Sequence, residues 1–88
     1  MSTGQEEQAA PMTLPTYPDP GTDRFTLTLP PGPHTITLWD PLGRMALRQH
    51  GHGTQPVVHT EALPAGPYRI TVELAQGVRW NAAWTKVE

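Results

Sequence analysis

The stretch ALPAGPYRITVEL, residues 62 to 74, decides the fold of this chain. Its first half is rich in proline and glycine, which is typical of a turn. Its second half alternates apolar and polar residues, and the apolar face consists of Tyr68, Ile70, Val72 and Leu74. A period of two is the pattern of a strand with one buried face. We therefore expect a turn followed by a strand that contributes to an apolar core.

Three segments between residues 24 and 49 repeat this alternation, and the turn sequences PPGP and DPLG separate them: RFTLTL, HTITLW and RMALRQ. In each segment every second residue is apolar, and we expect these side chains to face inward: Phe25, Leu27, Leu29, Ile36, Leu38, Met45 and Leu47. Together the three segments predict a three-stranded meander.

The rest of the chain completes the same picture. HGHGTQP, residues 50 to 56, is predicted to be a loop, and VVHTEAL is predicted to be a short extended segment that leads to Leu63. A last strand is expected from Val78 to Val87, with one face formed by Val78, Trp80, Ala82 and Trp84. No segment has helical periodicity. The predicted fold is therefore all-β, an Ig-like antiparallel β-sandwich of six or seven strands.

Composition limits the classes of partner. The chain has 88 residues, with 8 glycines and 11 prolines, no cysteine and a formal net charge of -2. A mildly acidic chain has no general attraction for nucleic acid or anionic lipid, so we expect neither nucleic-acid binding nor direct membrane insertion. Without cysteine, packing has to stabilise the fold without disulfide bonds.

Residues 1 to 16 are polar and lack periodicity, so we interpret them as a disordered linker or tail before a sandwich domain over residues 17 to 88. Glu6 and Glu7 stand where a secretory signal peptide would carry basic residues, and no apolar segment follows them. If the domain is exported, we expect the export signal to lie outside this sequence.

Candidate catalytic groups are few. The only serine is Ser2, in the predicted tail, so the usual acyl-transfer nucleophiles are missing from the predicted domain and we expect no enzyme activity and no cofactor. His50, His52 and His59 are the candidate metal ligands, but their spacing matches no strong zinc pattern and a solvated loop is the favoured interpretation. Two carboxylates that flank a turn are expected to cap it: Asp19 and Asp23.

The tryptophans leave two interpretations open. Trp80 and Trp84 share a face, so they form either part of the core or an aromatic shelf for a sugar ring, and the core is favoured. Trp39 lies on the strand face opposite to Ile36 and Leu38, so it is expected to face outward or to cover a sheet edge, and an exposed tryptophan indicates a surface for interactions.

Three short motifs carry a resemblance to a known family. YPDP lies before the first strand of the meander, DPLGR lies between its second and third strands, and LPAGPY lies before the strand at 68 to 74. In this order they resemble the type A C-terminal sorting domain of cargo proteins of the bacterial type IX secretion system. Its three boxes, Tyr-Pro-Asn-Pro, Asp-x-x-Gly-Arg/Lys and Leu-x-x-Gly-x-Tyr, are matched by Tyr17, Pro18, Pro20, Asp40, Gly43, Arg44, Leu63, Gly66 and Tyr68.

The sequence departs from the family pattern at three places. Asp19 stands where the family usually has asparagine, and Pro67 lies inside the third box. The last strand is rich in tryptophan and has a single lysine, Lys86, where relatives are more basic.

The resemblance implies a function. Such a domain is fused behind a cargo protein, directs it from the periplasm across the outer membrane through the type IX translocon, and is then removed by a sortase-like cysteine peptidase. The implied location is the periplasm in transit to the cell surface or the extracellular space. The alternative is an Ig-like accessory module that binds carbohydrate or a surface protein through its tryptophans.

Overall fold

The computed structural model describes residues 13 to 88, which form seven strands and one short 3-10 turn. Each predicted alternating segment contributes a strand, and the glycine- and proline-rich segments lie between strands. The strands are β1 (Thr13–Leu14), β2 (Arg24–Thr26), β3 (Pro33–Trp39), β4 (Met45–His52), β5 (Val57–His59), β6 (Gly66–Leu74) and β7 (Arg79–Lys86). The 3-10 turn, Ala75–Gly77, joins β6 to β7.

The strands form two sheets. The larger sheet has the order β1-β7-β6-β3-β4, in which β1 runs parallel to β7 and the other neighbours are antiparallel. The smaller sheet is the antiparallel pair β2-β5. The fold is an all-β sandwich, as the alternation predicted. Within residues 13 to 88, no helix is long and apolar enough to cross a membrane.

The predicted meander is wrong in one respect, because β2 does not pair with β3. It pairs with β5, with Phe25 opposite Val58, and the amides of Leu27 and Leu29 continue this contact by donating to the carbonyls of Pro56 and Thr54. Proline cannot donate to a ladder, so the PPGP segment ends these contacts after Leu29 and carries the chain to β3 in the other layer. There the apolar face of β2 covers the large sheet, and Phe25, Leu27 and Leu29 are buried.

Two predicted boundaries also change. Strand β4 continues to His52, because its last residues pair with the start of β3, so only part of the predicted loop at 50 to 56 is a loop. The predicted tail also reaches too far: Thr13 and Leu14 pair with Asn81 and Ala82. Leu14 is buried, which places it in the sandwich. Residues 1 to 12 of that predicted tail lie outside the described residues.

The core lies between the two sheets and includes most residues that alternation assigned to it. Leu63 is partly exposed and packs against this core. Ten of the residues predicted to face inward are buried: Phe25, Leu27, Leu29, Ile36, Leu38, Tyr68, Ile70, Val72, Ala82 and Trp84. The buried ring of Trp84 lies 4.9 Å from that of Phe25, centroid to centroid, and joins the layers.

Met45 and Val78 are exceptions to the predicted inward pattern. The pairing of β3 with β4 shifts after Leu38, so that Leu38 lies opposite Leu47 but Trp39 lies opposite Met45. This bulge reverses the alternation, and Met45 is 53% exposed. Val78 is also exposed, because β7 begins one residue later.

Candidate functional site

The topology brings the three sequence boxes to one end of the sandwich. Strand β3 ends there, β6 begins there and β7 ends there, and the segment after β1 runs to the same end. We call this region the motif end, and define it as residues 17 to 21, 40 to 44, 60 to 68 and 84 to 87. Boxes that are far apart in sequence therefore form one surface.

The first box is fastened to the end of β7. The indole Nε1 of Trp84 donates to the Pro18 carbonyl at 2.6 Å, and the Thr85 amide donates to Oδ1 of Asp19 at 3.1 Å. Asp19 therefore binds across to β7 instead of capping its own turn as expected. An asparagine at this position also offers an Oδ1 acceptor, so the departure from the family pattern preserves the contact. The side chain of Tyr17 remains 79% exposed.

Gly21 follows the first box and allows the backbone to approach β7. Its amide donates to the Thr85 carbonyl at 3.0 Å, and its carbonyl accepts from the Val87 amide at 2.8 Å. A Cβ at this position would lie 3.0 Å from the ring of Trp84 and 3.0 Å from the Pro18 carbonyl oxygen. A larger residue would push the first box away from β7.

The second box is a turn closed by its own side chains. Asp40 Oδ1 accepts hydrogen bonds from the amides of Leu42 and Arg44 at 3.0 and 2.9 Å, and Oδ2 accepts from the Arg44 guanidinium at 3.0 Å. The Arg44 amide is the main cause of a lowered pKa for Asp40, and the guanidinium adds to it. Gly43 has a φ of +83°, which glycine adopts without strain.

The third box forms a tyrosine corner. The Tyr68 hydroxyl donates to the carbonyl of Pro64, four residues earlier, at 2.6 Å and so fixes the connection into β6. Burial, and then the negative charge of Asp40, raise the pKa of Tyr68, so the hydroxyl remains a donor. Gly66 supplies a φ of +146° at the start of the strand.

Lys86 joins the last strand to the third box. Its ammonium group donates to the carbonyls of Thr60, Glu61 and Leu63 at 2.7, 3.2 and 2.6 Å. A lysine has three donors, so this single side chain satisfies all of them with backbone oxygens. The lysine that the sequence singled out is therefore a structural link between two parts of the motif end.

A cavity of about 280 Å³ separates the second box from the third. Ala46, Pro64, Pro67 and the ring of Tyr68 line it, together with the exposed side chain of Leu42. The motif end thus presents an apolar recess beside two exposed side chains, Leu42 at 75% and Arg44 at 72%. Such a surface is suited to binding another protein.

The histidines considered as metal ligands do not come together. His50 and His52 lie on β4, whereas His59 lies on β5 of the other sheet beside Glu61. Across residues 13 to 88, no group of three or more histidine, cysteine or acidic side chains is placed to hold a metal ion. The sequence interpretation missed His34, whose ring is buried and whose Nδ1 has no hydrogen-bond partner among the described residues. His34 lies on the same face of β3 as Ile36 and Leu38, and this position in the sequence pattern predicts that it is buried.

The three tryptophans have different environments. Trp84 is 1% exposed and belongs to the core, which excludes a shelf that it would share with Trp80. Trp80 is partly buried against the same core. Trp39 lies on the outer face of the large sheet, half-buried, and its Nε1 donates to the Thr71 hydroxyl at 3.1 Å.

Comparison with known proteins gives no relative from which a function can be transferred. No protein-family model matches the chain, and no curated protein matches its sequence.

Proposed function

We propose that this chain is a C-terminal sorting domain that directs a fused cargo protein across the outer membrane by the type IX secretion system. The observation that supports the proposal most directly is that its three boxes meet at one end of the sandwich. A sorting receptor has to recognise a contiguous surface, and boxes that served only as separate turns would have no need to meet.

The box residues divide into those that build the surface and those that it exposes. Pro18, Asp19, Asp40, Tyr68 and Lys86 make hydrogen bonds within the chain, so they act as positioning residues. Tyr17 and Leu42 are large exposed side chains, and Arg44 is 72% exposed although its Nε donates to Asp40, so these three are available to a partner. Recognition by the translocon is assigned to these three.

The domain acts as a signal and a partner performs the chemistry. The sortase-like cysteine peptidase of the system supplies the nucleophile that removes the domain after transport. The motif end remains folded throughout, because the contacts of Lys86 and Trp84 hold its segments together.

The test is delivery of a reporter. The chain is fused behind a reporter that carries a periplasmic signal peptide, in a bacterium with a type IX system, and surface reporter and domain removal are measured. We expect delivery and removal with the native sequence. A native sorting domain in the same host is the positive control for compatibility.

Surface variants separate recognition from folding. The combined variant Tyr17→Ser, Leu42→Ser and Arg44→Gln changes three exposed side chains. It removes the Arg44 guanidinium bond to Asp40 but keeps the two amide bonds that close the turn, so it is expected to fold but to leave the reporter in the periplasm. Val78→Ser is the matched control, because it removes an exposed apolar side chain at the opposite end of the sandwich. Periplasmic retention of a folded native fusion, or loss of delivery with Val78→Ser alone, contradicts the proposal.

A further inference from the structure

The outer face of the large sheet carries a polar cleft with concentrated positive charge. Its volume is about 220 Å³, and its lining includes Arg48, Arg69 and Arg79. These are three of the six Lys and Arg residues in a chain whose formal net charge is -2. All three side chains are exposed, so the face differs in charge from the chain as a whole.

Two of these arginines have no carboxylate partner. Arg79 Nη2 donates to Glu73 at 2.8 Å, but neither Arg48 nor Arg69 forms an ion pair within residues 13 to 88. The Nε of Arg48 instead donates to the Thr37 hydroxyl at 3.4 Å, and its two terminal nitrogens form no hydrogen bond within residues 13 to 88. The cleft therefore holds guanidinium groups that can receive an anion.

A tryptophan lies beside these guanidinium groups. Trp39 and Arg69 line both this cleft and a neighbouring one of about 240 Å³. The bond from Trp39 Nε1 to Thr71 fixes the indole, so the ring is a rigid apolar surface between the two clefts. An aromatic surface of this kind stacks against the C–H face of a sugar ring.

The position of the cleft determines which chemical groups it offers. It lies over β3 and β6, and each of these strands has a neighbour on both sides. Their backbone groups are used in the sheet, so a peptide cannot bind here by adding a strand. The face offers guanidinium groups, hydroxyl groups and an indole, together with one carboxylate, Glu73, which is paired with Arg79.

We propose that this face binds an acidic carbohydrate whose sugar ring carries a carboxylate. The carboxylate binds in the fork of Arg48 or Arg69, because guanidinium and carboxylate match as a planar pair. The sugar ring packs on Trp39, and its hydroxyl groups face the polar lining of the cleft. This binding goes beyond the sorting function and does not depend on it, since the cleft lies on the face of the sheet.

The experiment is a calorimetric titration of the full 88-residue chain with oligogalacturonate, and with maltooligosaccharide as the neutral sugar. Oligogalacturonate is expected to bind and the neutral sugar is not. At least one of Arg48→Gln and Arg69→Gln should weaken binding by about tenfold, which is the loss of one charge-assisted hydrogen bond. Arg24→Gln is the matched control: it removes the same charge from an exposed site on β2, in the other sheet, and should leave affinity unchanged.

Three results would overturn the proposal. The first is no binding of oligogalacturonate, or equal binding of the neutral sugar. The second is an equal loss of affinity in Arg24→Gln, which would mean that net charge alone drives binding. The third is tighter binding of a polyglutamate peptide, which would identify the face as a site for acidic protein segments.

Discussion

The side chain of Lys86 donates hydrogen bonds to three backbone carbonyls. Replacing it with methionine keeps most of the stem but removes every donor to Thr60, Glu61 and Leu63. We expect Lys86→Met to lower the free energy of unfolding by about 2 kcal/mol, as for hydrogen bonds from a charged group. Urea unfolding measures the change.

Arg79→Met is the matched control for this prediction. Arg79 is also cationic and lies on the same strand, but its pair with Glu73 is exposed. Exposed pairs contribute little, so the expected loss is below about 1 kcal/mol. Equal losses in the two variants would show that the contacts of Lys86 are no more stabilising than a surface pair.

His34 gives the domain an acid sensitivity. Burial, followed by the charge of His52, lowers the pKa of His34 below its ordinary value of 6.5. At mildly acidic pH the unfolded chain therefore binds a proton at His34 more readily than the folded chain does. The contribution of neutral His34 to the free energy of unfolding is complete above pH 6.5 and is lost as pH falls through the folded-state pKa. His34→Phe should reduce this loss of stability, measured as unfolding midpoints at neutral and mildly acidic pH. His59→Gln, at an exposed position, should lose stability at acidic pH as the native chain does. The same acid-induced loss in His34→Phe would contradict the prediction.

The sequence predicted single residues well where local chemistry determines them. Asp40 and Gly43 form the expected turn, because an aspartate oxygen reaches amides two and four residues later. Met45 was predicted wrongly, because a bulge depends on how two strands pair and no local signal marks it. His34 lies on β3 with the parity of Ile36 and Leu38, so alternation predicts its burial but gives no sign that its Nδ1 lacks a hydrogen-bond partner among the described residues.

Strand β3 is an interior strand of the large sheet, and β4 is one of its two edge strands. Leu38→Ala on β3 should cost about 2 to 5 kcal/mol, since it removes a buried side chain and leaves a cavity. Met45→Ala on β4 removes a side chain that is largely exposed and should cost under about 1 kcal/mol. Denaturant unfolding of both variants measures the difference, and a loss below half a kilocalorie for Leu38→Ala, on the order of a surface change, would contradict its burial.

The positions of the strands were predicted better than the pairing between strands. Alternation identified β2, β3, β6 and most of β7, because it depends only on which face each strand buries. The pairing of β2 with β5 was not predictable in the same way, since both a meander and a sandwich bury the same alternating residues. β1 was missed because two residues are too few to show a period.

The two layers of the molecule share one core. Phe25 of the small sheet contacts Trp84 of the large sheet, so neither layer can lose its packing alone. We expect unfolding followed by tryptophan fluorescence to coincide with unfolding followed by far-UV circular dichroism, as for a two-state domain. An earlier fluorescence transition would mean that the small sheet detaches first.

At the scale of the whole molecule, the sandwich and the direction of each core face followed from sequence, while the convergence of the boxes did not. Each box indicates a turn, and a turn gives no information about which end of a sheet it occupies. That information comes from the order β1-β7-β6-β3-β4, which results from packing across the entire chain.

The parallel pairing of β1 with β7 has a mechanical consequence. The two strands point in the same direction, yet one lies near residue 13 and the other near residue 88. Tension applied at these two places pulls the strands along their length in opposite senses. The hydrogen bonds between them are then loaded together in shear and share the force, whereas an antiparallel pair loaded at adjacent ends would unzip one bond at a time. A pulling force applied to a segment before β1 would therefore be carried by the hydrogen bonds between β1 and β7 before the core begins to open.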